Sequence, residues 1–213
     1  VELDLAIIAV IGDKMKSQQG VSGKMFSILG KNNVNIRAIA QGASERNISA
    51  VILKKDVKKA LNSLHEIYFN DNVKQLNIFI TGVGNVGKEL IKQIHNQQDY
   101  LKEKLNVNLR LIGLSNSKKM HFNINGIDLD KWESSLSNGV MSSFNDFQNK
   151  VLDLNLRNSI FLDITANKDI CNYYNNYLIK NIAVIACNKI ACSLSFKSYE
   201  DLKRTSIKFK SPF

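Results

Sequence analysis

Proline is almost missing from this chain: Pro212 is the only one among 213 residues. No proline-rich or Gly/Ser-rich linker therefore separates its parts, and any domains are expected to pack closely. Cysteine is also scarce. Cys171, Cys187 and Cys192 are odd in number, form no CxxC, and lie far in sequence from His65, His95 and His121. That excludes a disulfide framework and gives no reason to expect a metal site. Reduced thiols in a cytoplasm are the expected state. No run of 18 apolar residues occurs, so no membrane span is expected. The opening "VELDLAIIAVIGDK" has neither a basic n-region nor a small-residue cleavage site, so it does not read as a signal peptide. It also lacks a starting Met, and the expectation is a fragment or processed piece. Like charges never cluster in a block of five, arginine is sparse, and aromatic and basic residues do not interleave. The net charge of +10 is therefore not read as a nucleic-acid footprint. The chain is rich in Lys, Asn and Ile, a compositional bias that further discounts the charge.

What is present fits a soluble globular chain of one large or two small domains: 44% hydrophobic and 23% charged residues. The first part reads β-α-β-β-α. "DLAIIAVIG" (4–12) is a strand, "VSGKMFSILGKNN" (21–33) a helix with Val21, Met25, Phe26, Ile28 and Leu29 at helical spacing. "VNIRAIAQG" (34–42) and "ISAVILK" (48–54) are strands joined by the turn "ASERN", which implies an antiparallel pair. "DVKKALNSLHEIYF" (56–69) is a helix. This half is α+β with helices on one face. The second part changes character. "QLNIFITGVG" (75–84), "NLRLIGLSN" (108–116), "SIFLDIT" (159–165) and "IAVIACN" (182–188) read as strands. They alternate with helices over 85–105, 143–155, 166–180 and 199–205, while 117–140 reads as irregular. The overall class is α/β, with a doubly wound parallel sheet in the second part. The expected domains are 1–73 and 74–213.

Gly82, Gly84 and Gly87 form G-x-G-x-x-G directly after a strand and at the start of a helix. The first glycine permits a tight turn, the second lets backbone approach a pyrophosphate, and the third permits close packing of the helix. The helix N-terminus offers unpaired N–H groups to phosphate. A purely structural glycine turn would read the same way. The next strand ends "GLSNSKK". It carries no acid to hold a ribose 2′-hydroxyl, and the hydroxyls of Ser115 and Ser117, the Asn116 amide, Lys118 and Lys119 suit a 2′-phosphate, so NADP is preferred to NAD. A solvated loop is the alternative for either lysine. Thr165 and Lys189 each follow a parallel strand, where such sheets bind ligands. Lys189 is placed to donate a proton to a carbonyl or to orient a substrate, although a surface lysine would show the same spacing.

"AQGASERNIS", "FITGVGNVGKELIKQI", "GLSNSKK", "LDIT" and "ACNKIA", in this order over nearly the whole chain, resemble the bifunctional aspartokinase–homoserine dehydrogenase family. The resemblance implies an ACT-like domain followed by the Rossmann NAD(P)-binding domain of homoserine dehydrogenase. It implies an amino-acid effector, usually threonine, and ACT domains that pair into a shared sheet and so a homo-oligomer. Gln41 corresponds to an effector-binding glutamine, and Gly12, Asp13, Asn35 and Ile36 lie at corresponding loop and strand ends. The resemblance places Gly82, Val83, Gly84, Asn85, Val86, Gly87, Asn116, Ser117, Lys118, Thr165, Ala166 and Lys189 around NAD(P)H. Lys189 reaches the catalytic side, toward aspartate 4-semialdehyde or homoserine. The chain departs from the family in carrying Cys187-Asn188-Lys189-Ile190 where Pro-Asn-Lys-Lys is common, and Ala166 where Ser is frequent. It also stops before the expected substrate domain, so it is expected to bind cofactor with little turnover alone. The other reading is an amino-acid-binding allosteric module whose Rossmann half serves as scaffold.

Overall fold

The computed structural model describes residues 2–12, 15, 18–42, 46–69, 73–193 and 195–213. The chain divides into two units, 1–72 and 73–213.

In the first unit, β1 (Leu5–Ile11), α1 (Val21–Lys31), β2 (Ile36–Gln41), β3 (Asn47–Leu53) and α2 (Val57–Phe69) follow one another. The sheet order is β1-β3-β2, and both pairings are antiparallel. This is the expected βαββα pattern, with β2 and β3 as the expected antiparallel pair. The strand period of two explains the core: Ile48, Ala50 and Ile52 of β3 and Ile8 of β1 are buried against the helices. Val21, Met25 and Leu29 of α1 meet them from one stripe at i, i+4 and i+8, with Ala60 and Leu64 of α2. The Tyr68 hydroxyl donates to the Val21 carbonyl at 2.6 Å, joining the end of α2 to the start of α1. β2 starts two residues later than expected because Asn33, at φ 56°, and the Val34 N–H bond to the Leu29 carbonyl finish the preceding helix. The other face of the sheet leaves Ile7 and Ile11 largely exposed.

The second unit contains β4 (Lys74–Thr81), α3 (Asn85–Leu105), β5 (Val107–Ser115), β6 (Lys119–Phe122), α4 (Trp132–Ser137) and β7 (Val140–Met141). After these come α5 (Phe144–Leu154), β8 (Ser159–Asp163), α6 (Tyr174–Ile179), β9 (Ala183–Ala186) and α7 (Phe196–Phe209). The sheet order is β7-β6-β5-β4-β8-β9. β5, β4, β8 and β9 are parallel, whereas β6 and β7 add antiparallel strands at one edge. Both faces are covered. Ile78, Ile80, Leu111, Leu114 and Leu162 pack with Ile91 and Ile94 of α3 and Leu136 of α4. Phe79, Ile112, Phe161 and Val184 pack on the opposite face with Phe147 of α5, Tyr174 and Tyr177 of α6 and Leu202 of α7. Strands buried on both sides read as unbroken apolar runs, and so the sequence pattern of this sheet differs from that of the first.

The expected irregular stretch 117–140 instead holds β6, α4 and β7. Strands of four and two residues are too short to show a period, and they depend on the free edge of β5. Gly113 faces Phe122 there; a Cβ on Gly113 would lie 2.5 Å from the Phe122 ring, so the glycine makes room for it. The helix expected over 166–180 is reduced to α6 behind a 3-10 turn, Asp169–Tyr173. Local side-chain bonds compete with helix here: Asn167 N–H donates to Thr165 Oγ1 at 3.2 Å and Asp169 N–H to Asn167 Oδ1 at 2.7 Å. α7 is longer than the expected 199–205 because Ser195 caps it, accepting from Ser198 N–H. Past α7, the Pro212 carbonyl accepts from Val184 N–H at 2.9 Å, so the lone proline lies along the outer side of β9. Among the described residues, no helix is long and apolar enough to cross a membrane.

Candidate functional site

Strand order reverses between β4 and β8. β5 lies on one side of β4, and the chain returns to place β8 and β9 on the other. In such sheets the crevice beyond the carboxyl ends at this point is where ligands bind. The glycine turn sits at that position. Gly82 follows β4 with φ 99°, which L side chains rarely adopt, and its N–H donates to the Ser115 carbonyl at 2.9 Å. A Cβ on Gly82 would lie 2.5 Å from the Ile164 carbonyl oxygen and 2.9 Å from Thr165 Cγ2, so the turn presses against the end of β8. A Cβ on Gly87 would lie 2.5 Å from the Gly82 carbonyl oxygen. The third glycine thus packs α3 against the turn's own backbone rather than against the sheet.

Gly84 is different. It precedes α3 in an extended conformation, φ −91° and ψ −153°, and a Cβ there would meet nothing within 4 Å. Neither backbone strain nor packing requires a glycine at this position. α3 has no side-chain cap hydrogen bond at its start and no acid in its first turn. Its opening N–H groups, beginning at the exposed Asn85 and Val86, point out of the sheet end with the positive end of the helix dipole. Val83 turns inward and packs with the core under α3. An arrangement of this kind suits an anion approaching the backbone closely.

At the end of β5, the Asn116 carboxamide oxygen accepts from both Lys118 N–H (2.8 Å) and Lys119 N–H (2.7 Å). Its side chain closes the turn into β6. Lys119 Nζ donates to the Gly139 carbonyl at 3.0 Å, toward β7. Ser117 and Lys118 remain exposed at the strand end. Beyond β8, Thr165 is half-buried and Ala166 exposed; beyond β9, Asn188 is buried and Lys189 exposed. The structure brings Thr165 against Gly82, and it joins the Thr165 and Lys189 segments through a polar cluster that sequence reasoning missed. Asp163, fully buried, accepts from Thr165 N–H at 2.8 Å, from Asn188 Nδ2 at 3.1 Å and from the Tyr174 hydroxyl. Burial pushes the Tyr174 hydroxyl pKa up, and the bond to Asp163 and its charge push it further. Burial raises the neighbouring Cys171 thiol as well, with the Asp163 charge adding to the effect. The sequence signal was there: an acid that ends the apolar strand "IFLD", in a sheet covered on both faces. A cavity of about 510 Å³ lies elsewhere, between the β6–β7 edge and α5, lined by His121, Val140, Asp146 and Lys150, and it contains none of the expected site residues.

In the first unit, Gly12 and Gln41 lie at the same end of the sheet, since β1 ends beside the start of β3 and Gln41 pairs with Ile48. Gly12 N–H donates to the Arg46 carbonyl at 3.0 Å. Asn35 and Ile36 lie at the opposite end, where Ile36 pairs with Ile52. Five residue steps along β2 take Ile36 to Gln41, about 17 Å, so one unit does not gather all four around a small molecule. Asp13 lies outside the described residues.

A parallel sheet with a glycine turn and a helix N-terminus at its switch point defines a Rossmann dinucleotide-binding protein. The model of the homoserine dehydrogenase NAD-binding domain family matches residues 82–208, and an ACT domain model matches residues 8–68. The chain belongs to the homoserine dehydrogenase NAD-binding family, with an ACT domain ahead of that region. It is 36% identical over 204 residues, 95% of its length, to a bifunctional aspartokinase/homoserine dehydrogenase of Haemophilus influenzae. It is 38% identical over 206 residues, 94% of its length, to a chloroplastic enzyme of the same description from Arabidopsis thaliana. The chain spans 25% and 22% of the lengths of these relatives. A hyperthermophilic archaeal homoserine dehydrogenase solved in complex with NADPH shares the fold: TM-score 0.53, 21% identity, 65% of this chain and 42% of that one.

Proposed function

We propose that this chain is the regulatory and cofactor-binding portion of a homoserine dehydrogenase and that it takes NADPH at the β4–β8 switch point. One observation carries the reading: Gly84 has no conformational or packing need to be glycine, yet it stands where a pyrophosphate would approach the start of α3. Asn85, Val86 and Gly87 would offer backbone N–H groups to the phosphates. Ser117 and Lys118, exposed and without an acid beside them, would face the adenosine ribose, which favours a 2′-phosphate and so NADP over NAD. Thr165, Ala166 and Lys189 would border the nicotinamide. When bound, the cofactor supplies hydride transfer. The reaction of the whole protein would interconvert L-homoserine and L-aspartate 4-semialdehyde, with Lys189 orienting the carbonyl or delivering its proton. The three free thiols fit a reducing compartment such as the cytoplasm.

The ACT unit would bind an amino-acid effector, threonine by family resemblance. Gly12 and Gln41 at one sheet end, and Asn35 and Ile36 at the other, support a site completed by a second ACT unit. Isothermal titration with NADPH, NADH and threonine tests these readings together. NADPH should bind more tightly than NADH, and Gly84→Val should abolish NADPH binding in a protein that still folds. A folded wild type that gives no heat with NADPH, or a Gly84→Val variant that binds normally, sinks the cofactor assignment.

A further inference from the structure

A buried carboxylate is unfavourable unless donors surround it, and a strand end needed only for packing would be served better by an apolar residue. Asp163 is buried at the end of β8 with three donors on its carboxylate. Its main-chain carbonyl also accepts from Cys187 N–H at 2.8 Å, at the end of β9. Asn188 extends the cluster. Its Nδ2 donates to Asp163 Oδ2 and, at 2.8 Å, to the Asn167 carbonyl, while its Oδ1 accepts from Ile190 N–H at 3.1 Å. Asn188 thereby spans Lys189 by its bond to Ile190 N–H and is also bonded to the loop that carries Thr165. The Tyr174 hydroxyl donates to the same Oδ2 as Asn188 and ties the carboxylate to α6, while Thr165 N–H holds Oδ1. One ionisable group therefore holds the two loops that leave β8 and β9, and one of those loops presses against Gly82.

We propose that Asp163, acting through Asn188, is the positioning residue that fixes Thr165 and Lys189 at the mouth of the dinucleotide site. What the mouth holds rests on the cofactor reading above; the tether itself does not. Asp163→Asn puts an amide donor against at least one of the donors now satisfied by the carboxylate. Asn188→Ala removes the side-chain link between the two loops, keeps the backbone bond from Cys187 N–H, and leaves the Asp163 carboxylate with Thr165 N–H and Tyr174. Val151→Ala serves as the comparison, since Val151 is buried in α5 and has no part in the cluster.

Three quantities are measured on the whole chain: urea stability by Trp132 fluorescence, NADPH affinity by titration, and the acetylation rate of Lys189 relative to Lys102 by mass spectrometry. Asp163→Asn and Asn188→Ala should weaken NADPH about tenfold and raise relative Lys189 acetylation severalfold. Val151→Ala should lose stability and change neither. If both cluster variants follow Val151→Ala in affinity or in acetylation at matched stability, the positioning role is overturned. If the wild type binds no NADPH, the cofactor reading fails by itself, and the acetylation measurement alone decides the tether. If Asp163→Asn does not fold, Asn188→Ala decides.

Discussion

The two sheets of this chain solve burial in opposite ways. In the second unit, helices cover both faces, so that Ile78 and Ile80 sink into one core while Phe79 between them sinks into the other. In the first unit, helices cover one face, and the alternate positions Ile7 and Ile11 stay 73% and 75% exposed. A half-covered antiparallel sheet ordinarily turns polar residues outward. Here the outward positions of β1 are apolar too, and exposed apolar patches of this kind mark surfaces suited to contact. The difference also divides the chemistry. The doubly covered sheet gathers its candidate residues at the carboxyl ends of its parallel strands, while the half-covered sheet scatters its own between two ends.

Removing a doubly covered side chain should separate the two units most sharply. Phe161 is 1% exposed and stacks on Tyr177 with ring centroids 4.2 Å apart. Phe161→Ala should cost about 3–5 kcal/mol. Trp132, the single tryptophan, should report a lower urea midpoint for the second unit, while hydrogen exchange in β1 and β3 stays as in the wild type. Equal loss of protection in both units would show that they unfold together. Next in size is Gly87→Ala, whose Cβ would press on the Gly82 carbonyl; about 1–3 kcal/mol is expected, read from the same denaturation curve. A third effect is pH-dependent. Burial raises the Tyr174 and Tyr177 hydroxyl pKa values above the usual range, with the Asp163 charge contributing to both. Above about pH 10 the unfolded chain therefore releases protons that the native unit keeps. Stability is complete below that pH and falls above it by about 1.4 kcal/mol per pH unit for each such tyrosine. A second-unit midpoint that stays flat between pH 9 and 11 would contradict this. The smallest change belongs to the open face: Ile11→Thr should shift stability by about 0.5 kcal/mol or less, measured by thermal melting. A large loss there would mean that the face is covered in solution.

How much could be read in advance followed the same division. α3 is legible to the residue, and β4, β5 and β8 nearly so, because strands buried on both faces show as apolar runs, and Gly82 marks the end of β4. The glycine turn was placed correctly in the fold, although only coordinates show that Gly82 and Gly87 are needed by the structure itself while Gly84 is not. β6 and β7 were missed because their existence depends on an unpaired edge of β5, which no local pattern records. α6 was overestimated because the side chains of Thr165 and Asn167 bond locally and delay the helix. The Asp163 cluster lay outside the reach of spacing arguments: its partners Tyr174 and Asn188 are 11 and 25 residues away and converge only once β8 and β9 are paired. The resemblance assigns Asn35 and Gln41 to one effector, and β2 holds them at opposite ends of the sheet.

The turn after β5 divides its residues between those that hold the edge and those that only face outward. Asn116 closes that turn alone, holding two amides with one carboxamide oxygen, and Lys119 is committed to the far strand. Ser117 and Lys118 keep exposed side chains, and it is the Lys118 backbone that serves the edge, its carbonyl accepting from Ser142 N–H at 3.0 Å. On the proposed reading of the site, drift or redesign of these two side chains would change the preference for a phosphorylated or an unmodified ribose while leaving the fold in place.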